Sequence, residues 1–218
     1  MTTFPGAPKT LMGGFILMDA EGKTVLRTVV FQYNPDALTR TVTPRAAKVE
    51  GGDRLEALRL TGPPIETIKL EIELDATDRL EHPDQNPETV KSGIAPELAD
   101  LETIITPAID DIVASSRRAE TGTLEILPMP SPLVLLVLGA NRTIPVRVND
   151  VSVVEEAFDT QLNPIRAKVS LTLRSLSSDD LAMGSKGAEL FLANARRREQ
   201  LAARRPPSMQ AFGLRGTP

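Results

Sequence analysis

Between Val151 and Leu176 the chain reads VSVVEEAFDTQLNPIRAKVSLTLRSL. No other stretch restricts the possible folds as much. In its second half Ile165, Ala167, Val169, Leu171 and Leu173 alternate with Arg166, Lys168, Ser170, Thr172 and Arg174. A period of two puts the apolar side chains on one face of a sheet and the polar ones on the other. Between the two runs, Asp159-Thr-Gln-Leu-Asn-Pro164 is rich in residues that bend a chain. Pro164 has a fixed φ and no N–H to give to a ladder, so it suits the first residue of a strand. The expectation is an antiparallel hairpin with one buried face and no catalytic loop.

The same reasoning extends along the chain. Ile68, Leu70, Ile72 and Leu74 alternate with Lys69, Glu71, Glu73 and Asp75, which predicts a second strong strand over 65–75. Phe15 to Asp19 and Thr24 to Tyr33 flank the turn signal Glu21-Gly22-Lys23 and read as a hairpin. Asn34-Pro35 breaks that strand, and a short one resumes over 37–42. Leu133 to Leu138 is a continuous apolar run, expected to be a strand buried on both faces, with another strand over 142–148.

Helical signals are fewer. Leu98, Leu101, Ile104, Ile105, Ala108, Ile109, Ile112 and Val113 fall at helical spacing, which predicts one helix over 95–117, kinked or divided at Pro107. Residues 43–64 and 78–93 read as polar loops. A polar linker over 177–187 leads to a basic helix over 189–205, stopped by Pro206-Pro207. No repeat of 20–50 residues is visible. About seven or eight strands and one main helix make a mainly β (α+β) chain, expected as an antiparallel β-sandwich or barrel-like domain with a flanking helix. The predicted organisation is an arm over 1–13, a β domain over 14–176 with its helical insertion, and over 177–218 a linker, the basic helix and a disordered tail.

Composition removes several kinds of chemistry. Cysteine is absent, so disulfides and thiolates are excluded. His82 is the single histidine, so no site can use two imidazoles. With no Trp, one Tyr and six Phe, the core has to be aliphatic. The run Leu133–Leu138 falls far short of the ~20 residues that span a bilayer. The start MTTFPGAPKT lacks the layout of a signal peptide, so cytoplasmic synthesis is expected. Glu71, Glu73, Asp75 and Asp78 look like a solvated sheet face rather than an acid/base pair. Gly184-Ser-Lys-Gly187 lacks the upstream glycine of a phosphate loop, and no Gly-x-Ser-x-Gly elbow exists. A small hydrolase would rest on His82 alone. The expectation is no enzyme, no cofactor, no metal and no small-molecule substrate.

Charge is uneven. Residues 186–218 hold seven basic and two acidic side chains, giving +5 against −4 for the whole chain, so residues 1–185 carry −9. An acidic body with a basic tail predicts a different partner for the tail than for the body. Arg196, Arg197, Arg198, Arg204 and Arg205 define an alternative function, an interaction module that binds an acidic protein, nucleic acid or membrane surface. The pI of about 5.2 and Phe212, the lone aromatic after Arg205, argue against nucleic acid.

Three motifs, in order, carry a family resemblance: Phe31-Gln-Tyr-Asn-Pro35, Leu70-Glu-Ile-Glu-Leu-Asp-Ala-Thr77, and EEAFDTQLNPIRAKVSLTL from Glu155. The span from Gly14 to Leu176 resembles the tube-type domain of contractile injection systems, the phage-tail-like particles that bacteria assemble. In that family a strand ending in an aromatic residue precedes a Leu-x-Pro-x-Arg-Ala turn, matched here by Phe158, Leu162, Pro164, Arg166 and Ala167. Phe31, Tyr33, Asn34 and Pro35 match the first motif. The resemblance implies a barrel-like tube fold of two antiparallel sheets and a self-assembled ring of six copies whose sheets join across subunits. In it, the 43–64 excursion reaches toward a neighbouring subunit. Partners would be the inner tube protein, the spike or hub protein, and other baseplate or sheath components, within a particle that is cytoplasmic or released. The closest motifs are those of tube initiators and tube–baseplate adaptors, which often carry a LysM module after the tube domain. Here a basic helix and tail stand in its place, so the resemblance implies no cell-wall binding and is compatible with either position, tube initiator or adaptor.

Overall fold

The computed structural model describes residues 11–46, 59–120 and 131–205. The arm before Leu11, the middle of the 43–64 excursion and the tail after Arg205 lie outside them. Seven strands form one antiparallel sheet: β1 (Gly14–Met18), β2 (Val25–Val30), β3 (Leu38–Thr43), β4 (Ile65–Asp75), β5 (Leu133–Val137), β6 (Thr143–Phe158) and β7 (Pro164–Ser175), in the order β2-β1-β5-β6-β7-β4-β3. Among the described residues five helices accompany it: α1 (Thr77–Leu80), α2 (Pro87–Ser92), α3 (Ala95–Glu102), α4 (Ile109–Glu120) and α5 (Lys186–Ala203). The chain is mainly β with added helices, as the alternation predicts.

The hairpin β6–β7 is the spine. Its apolar positions meet those of β4 in register, with Ile68 opposite Leu173, Leu70 opposite Leu171, Ile72 opposite Val169 and Leu74 opposite Ala167. All eight are buried. Burying each large aliphatic side chain contributes about 1.5–3 kcal/mol, so this double row is a substantial source of stability. The expected strands over 142–148 and 151–158 are one strand of 16 residues. Its pairing with β7 slips between Val148 and Asp150 and again around Ala157, and such bulges bend a strand and raise its twist.

Phe15 of β1 and Phe31 after β2 meet edge to face, with ring centroids 5.3 Å apart, inside the same core. Beyond Phe31, the Gln32 side chain bonds to the backbone of Asp75 at the end of β4. The sheet therefore bends back until the ends of its first and sixth strands touch. Ile94, Leu98, Leu101 and Ile104, in and around α3, complete the core. β5 is buried on both faces, as its composition predicts. Val134 and Leu136 point into the core, while Leu133 lies against Leu181 and the start of α5.

Two helical expectations need correction. Residues 78–93 are not a loop; they hold the end of α1, a 3-10 turn over Pro83–Gln85, and α2. Pro83 and Pro87 sit in first turns, where a missing N–H costs nothing, so they open helices instead of marking a loop. The single helix over 95–117 is two, α3 and α4. Thr103 and Thr106 turn their hydroxyls back onto the carbonyls of Asp100 and Glu102, and Pro107 has no N–H with which to continue α3.

Candidate assembly surfaces

The hairpin turn is built by one carboxylate. Asp159 Oδ1 accepts from the N–H of Gln161 and of Asn163, and Oδ2 accepts from the Asn163 amide. These bonds, the Asn163 side chain first, hold the Asp159 carboxyl below its ordinary value. Leu162 stands at the tip with φ 65°, 78% exposed, a costly position for a branched apolar residue. Phe158 is exposed beside it and pairs with Pro164. The Pro164 carbonyl accepts from Ile94 N–H, and Gly93, at φ 58°, packs so closely that a Cβ there would lie 2.0 Å from that oxygen. Asn163 also donates to the Lys91 carbonyl. The α2–α3 junction thus clamps the base of the hairpin.

The family-motif residues do not converge on one site. Phe31 and Ala167 are core. Asn34 fastens the segment that leads into β1, accepting from Gly13 N–H at 2.7 Å and donating to the Leu11 carbonyl at 2.9 Å. Tyr33, half-buried, lines a shallow cavity with Glu73, Asp75, Glu156, Arg166 and Lys168. Arg166 pairs with Asp75 at 2.8 Å, and Lys168 sits between Glu73 and Glu156 at 3.8 and 3.6 Å. Partial burial pushes the Asp75 carboxyl up, but hydrogen bonds from Thr77 and Arg166 outweigh it and leave the group below its ordinary value. These are balanced charges on a sheet face. His82 is exposed at the start of the 3-10 turn. Among the described residues no group of three or more His, Cys, Asp or Glu is placed to hold a metal ion, and no helix is long and apolar enough to cross a membrane.

Part of the arginine run faces inward. Arg198 reaches Glu66 at 2.9 Å, and Arg40 approaches the other oxygen at 3.2 Å. Glu66 is only 4% exposed, so two guanidinium groups compensate one buried carboxylate. Arg197 donates to Asn141 Oδ1 at 2.6 Å, and Asn194 to the Thr143 carbonyl at 2.5 Å. Arg45–Asp179 and Arg174–Asp180 tie the segment before α5 to the sheet. Arg196, Arg204 and Arg205 are exposed and have no ion-pair partner among the described residues. Glu66 was legible: carrying the alternation of β4 back one step puts it on the core face. Gln32 had no such signal.

β2 and β3 are the two ends of the sheet, and among the described residues neither has a strand on its outer side. β2 leaves Val25, Leu26 and Val30 in solvent, the last two at 61% and 65%, and β3 leaves Val42 exposed. Beside Leu26 runs a groove of about 830 Å³, floored by Leu17, Ala99, Ile104, Ile105, Pro107 and Ile109. No protein-family model matches the chain, and no curated protein matches it.

Proposed function

We propose that the chain is a structural subunit of a phage-tail-like contractile injection system. In this reading it forms a ring in the baseplate hub that initiates the inner tube or adapts it to the baseplate. The edges of β2 and β3, unpaired among the described residues, carry the reading. A strand edge presents unpaired N–H and C=O groups, and soluble monomers blunt such edges with charge, proline or cover. Here β2 carries Val25, Leu26 and Val30 in solvent, as suits a strand that a second copy completes. A contact between two different edges is heterologous, and it closes into a ring when the rotation allows.

Further support comes from the three ordered motifs, the long β6–β7 hairpin and the Gln32–Asp75 link, which favours a barrel-like tube domain over a flat sheet. Six copies, with inner tube, hub and sheath proteins as neighbours, follow from the family resemblance. No catalytic residue is assigned. The alternative, a binding module using the arginine tail, has less to draw on, because Arg197 and Arg198 are engaged with the chain's own body.

The test is a tagged pull-down from the native cell, viewed by negative-stain electron microscopy. Sheathed rods tagged near one end are expected. Label along the whole tube would make the chain the repeating tube subunit, and the absence of particles would overturn the reading.

A further inference from the structure

Helix α4 is amphipathic yet exposed along almost its full length. Ile109, Ile112 and Val113 fall at helical spacing with Ile105 before the helix, and Ile109 is 68% exposed. This row adjoins the apolar groove beside the edge strand β2. The lining is acidic: Glu102 and Asp111, with Asp110 next to Asp111 on α4, are exposed and have no ion-pair partner among the described residues. Arg27, the one cation among the described residues that line the groove, is already paired with Asp100 at 3.0 Å. An apolar floor with an acidic lining fits an occupant with exposed apolar atoms and basic flanks.

The chain carries such a surface itself. The last turns of α5 expose Leu201 beside Arg204 and Arg205. The two patches lie far apart on one molecule. The first turn of α5 sits by the trough that continues the groove past Ala20, Ile104 and Pro132. The end of its 18 residues is then about 27 Å away, at 1.5 Å per residue. A copy therefore does not fill its own groove.

We infer that the acidic α4 groove of one copy receives the basic end of α5 from a second copy, in a head-to-tail contact. This rests on the ring reading and deepens it, because it names the surfaces that meet beside the strand edges. It also gives the acidic body and the basic tail a common purpose.

The experiment is a charge exchange in the full chain, read by sedimentation velocity at low and high salt. One variant carries Asp110→Arg with Asp111→Arg, the other Arg204→Asp with Arg205→Asp. The wild type is expected to self-associate, less so at high salt. Each variant alone should associate about tenfold or more weakly, since like charges then face each other. Mixing the two should restore association, because each basic surface again meets an acidic one. Both positions are exposed, and circular dichroism checks that the variants fold. Variants that associate like the wild type, or a mixture no better than its components, would overturn the contact while leaving an edge-strand ring standing. A wild type that stays monomeric would also overturn it. The ring reading itself is decided by the tagged particles.

Discussion

The side-chain amide of Gln32 donates to the backbone carbonyl of Asp75 at 2.6 Å and accepts from its N–H at 3.0 Å. A primary amide here imitates a peptide group of an adjoining strand, yet β2 and β4 are separated by four others in the sheet. Replacing Gln32 by Ala leaves both partly buried backbone groups of Asp75 short of a partner, a loss of about 1–3 kcal/mol. Gln32→Glu keeps the acceptor but loses the donor. Urea denaturation should show a lower midpoint for both variants with an unchanged slope. An unchanged midpoint for Gln32→Ala would mean the link is incidental.

Glu66 and Arg198 should be coupled. Removing one partner of a well-buried ion pair costs about 3–5 kcal/mol, but Arg198 is partly in solvent and Arg40 stays in place, so about 1–2 kcal/mol is expected for Arg198→Ala. A double-mutant cycle with Glu66→Gln should return an interaction energy well above zero. Amide exchange in α5 should speed up in the Arg198 variant. Strict additivity would show that α5 is held by packing alone.

Gly93 permits the close approach of α2–α3 to the hairpin. Gly93→Ala combines a left-handed backbone penalty of about 1–2 kcal/mol with a clash against the Pro164 carbonyl. The variant should lose at least about 2 kcal/mol in chemical denaturation, whereas Gly139→Ala, with open space around its Cβ position, should lose only the backbone part.

Acid should weaken the protein through Asp75, Asp159 and Asp180. For Asp180, burial raises the carboxyl pKa, but bonds from Ser177 N–H and Oγ and the nearby Arg174 and Arg45 charges outweigh it, and the group lies below its ordinary 3.8. A depressed carboxyl stabilises the fold above its unfolded value and stops doing so as pH falls through its folded value. The stability loss therefore begins near pH 4 and deepens below it. Asp180→Asn should lower stability at pH 7 and flatten the acid limb. A limb as steep as in the wild type would remove Asp180 from the account.

The β framework was legible because alternation and burial are the same physics: Ile68 to Leu74 and Ala167 to Leu173 fix both register and face. The helices over 77–92 were not. Their polar residues and prolines carry the composition of a loop, and their order comes from docking onto Pro164 and Asn163, a contact remote in sequence. The division of α3 from α4 was only half readable, since Pro107 marks a break without saying whether the helix bends or ends. The arginine run carried a docking signal, but nothing local showed that Arg198 turns inward to Glu66.

The exposed edge of β2 yields the sharpest separation of assembly from folding. Leu26 and Val30 are largely in solvent, so Leu26→Lys with Val30→Lys should leave chemical denaturation within about 0.5 kcal/mol per substitution, as for other surface changes. Lysine on an edge strand is a known block to edge pairing, because a second strand would have to desolvate the ammonium groups. If β2 is completed by another copy, this variant sediments as a monomer at concentrations where the wild type assembles. The charge-exchange variants of α4 and α5 should lose assembly in a salt-dependent way, whereas the β2 variant should stay monomeric at any salt. A β2 variant that assembles normally would move the contact off the strand edge and leave α4 as the surface that joins the copies.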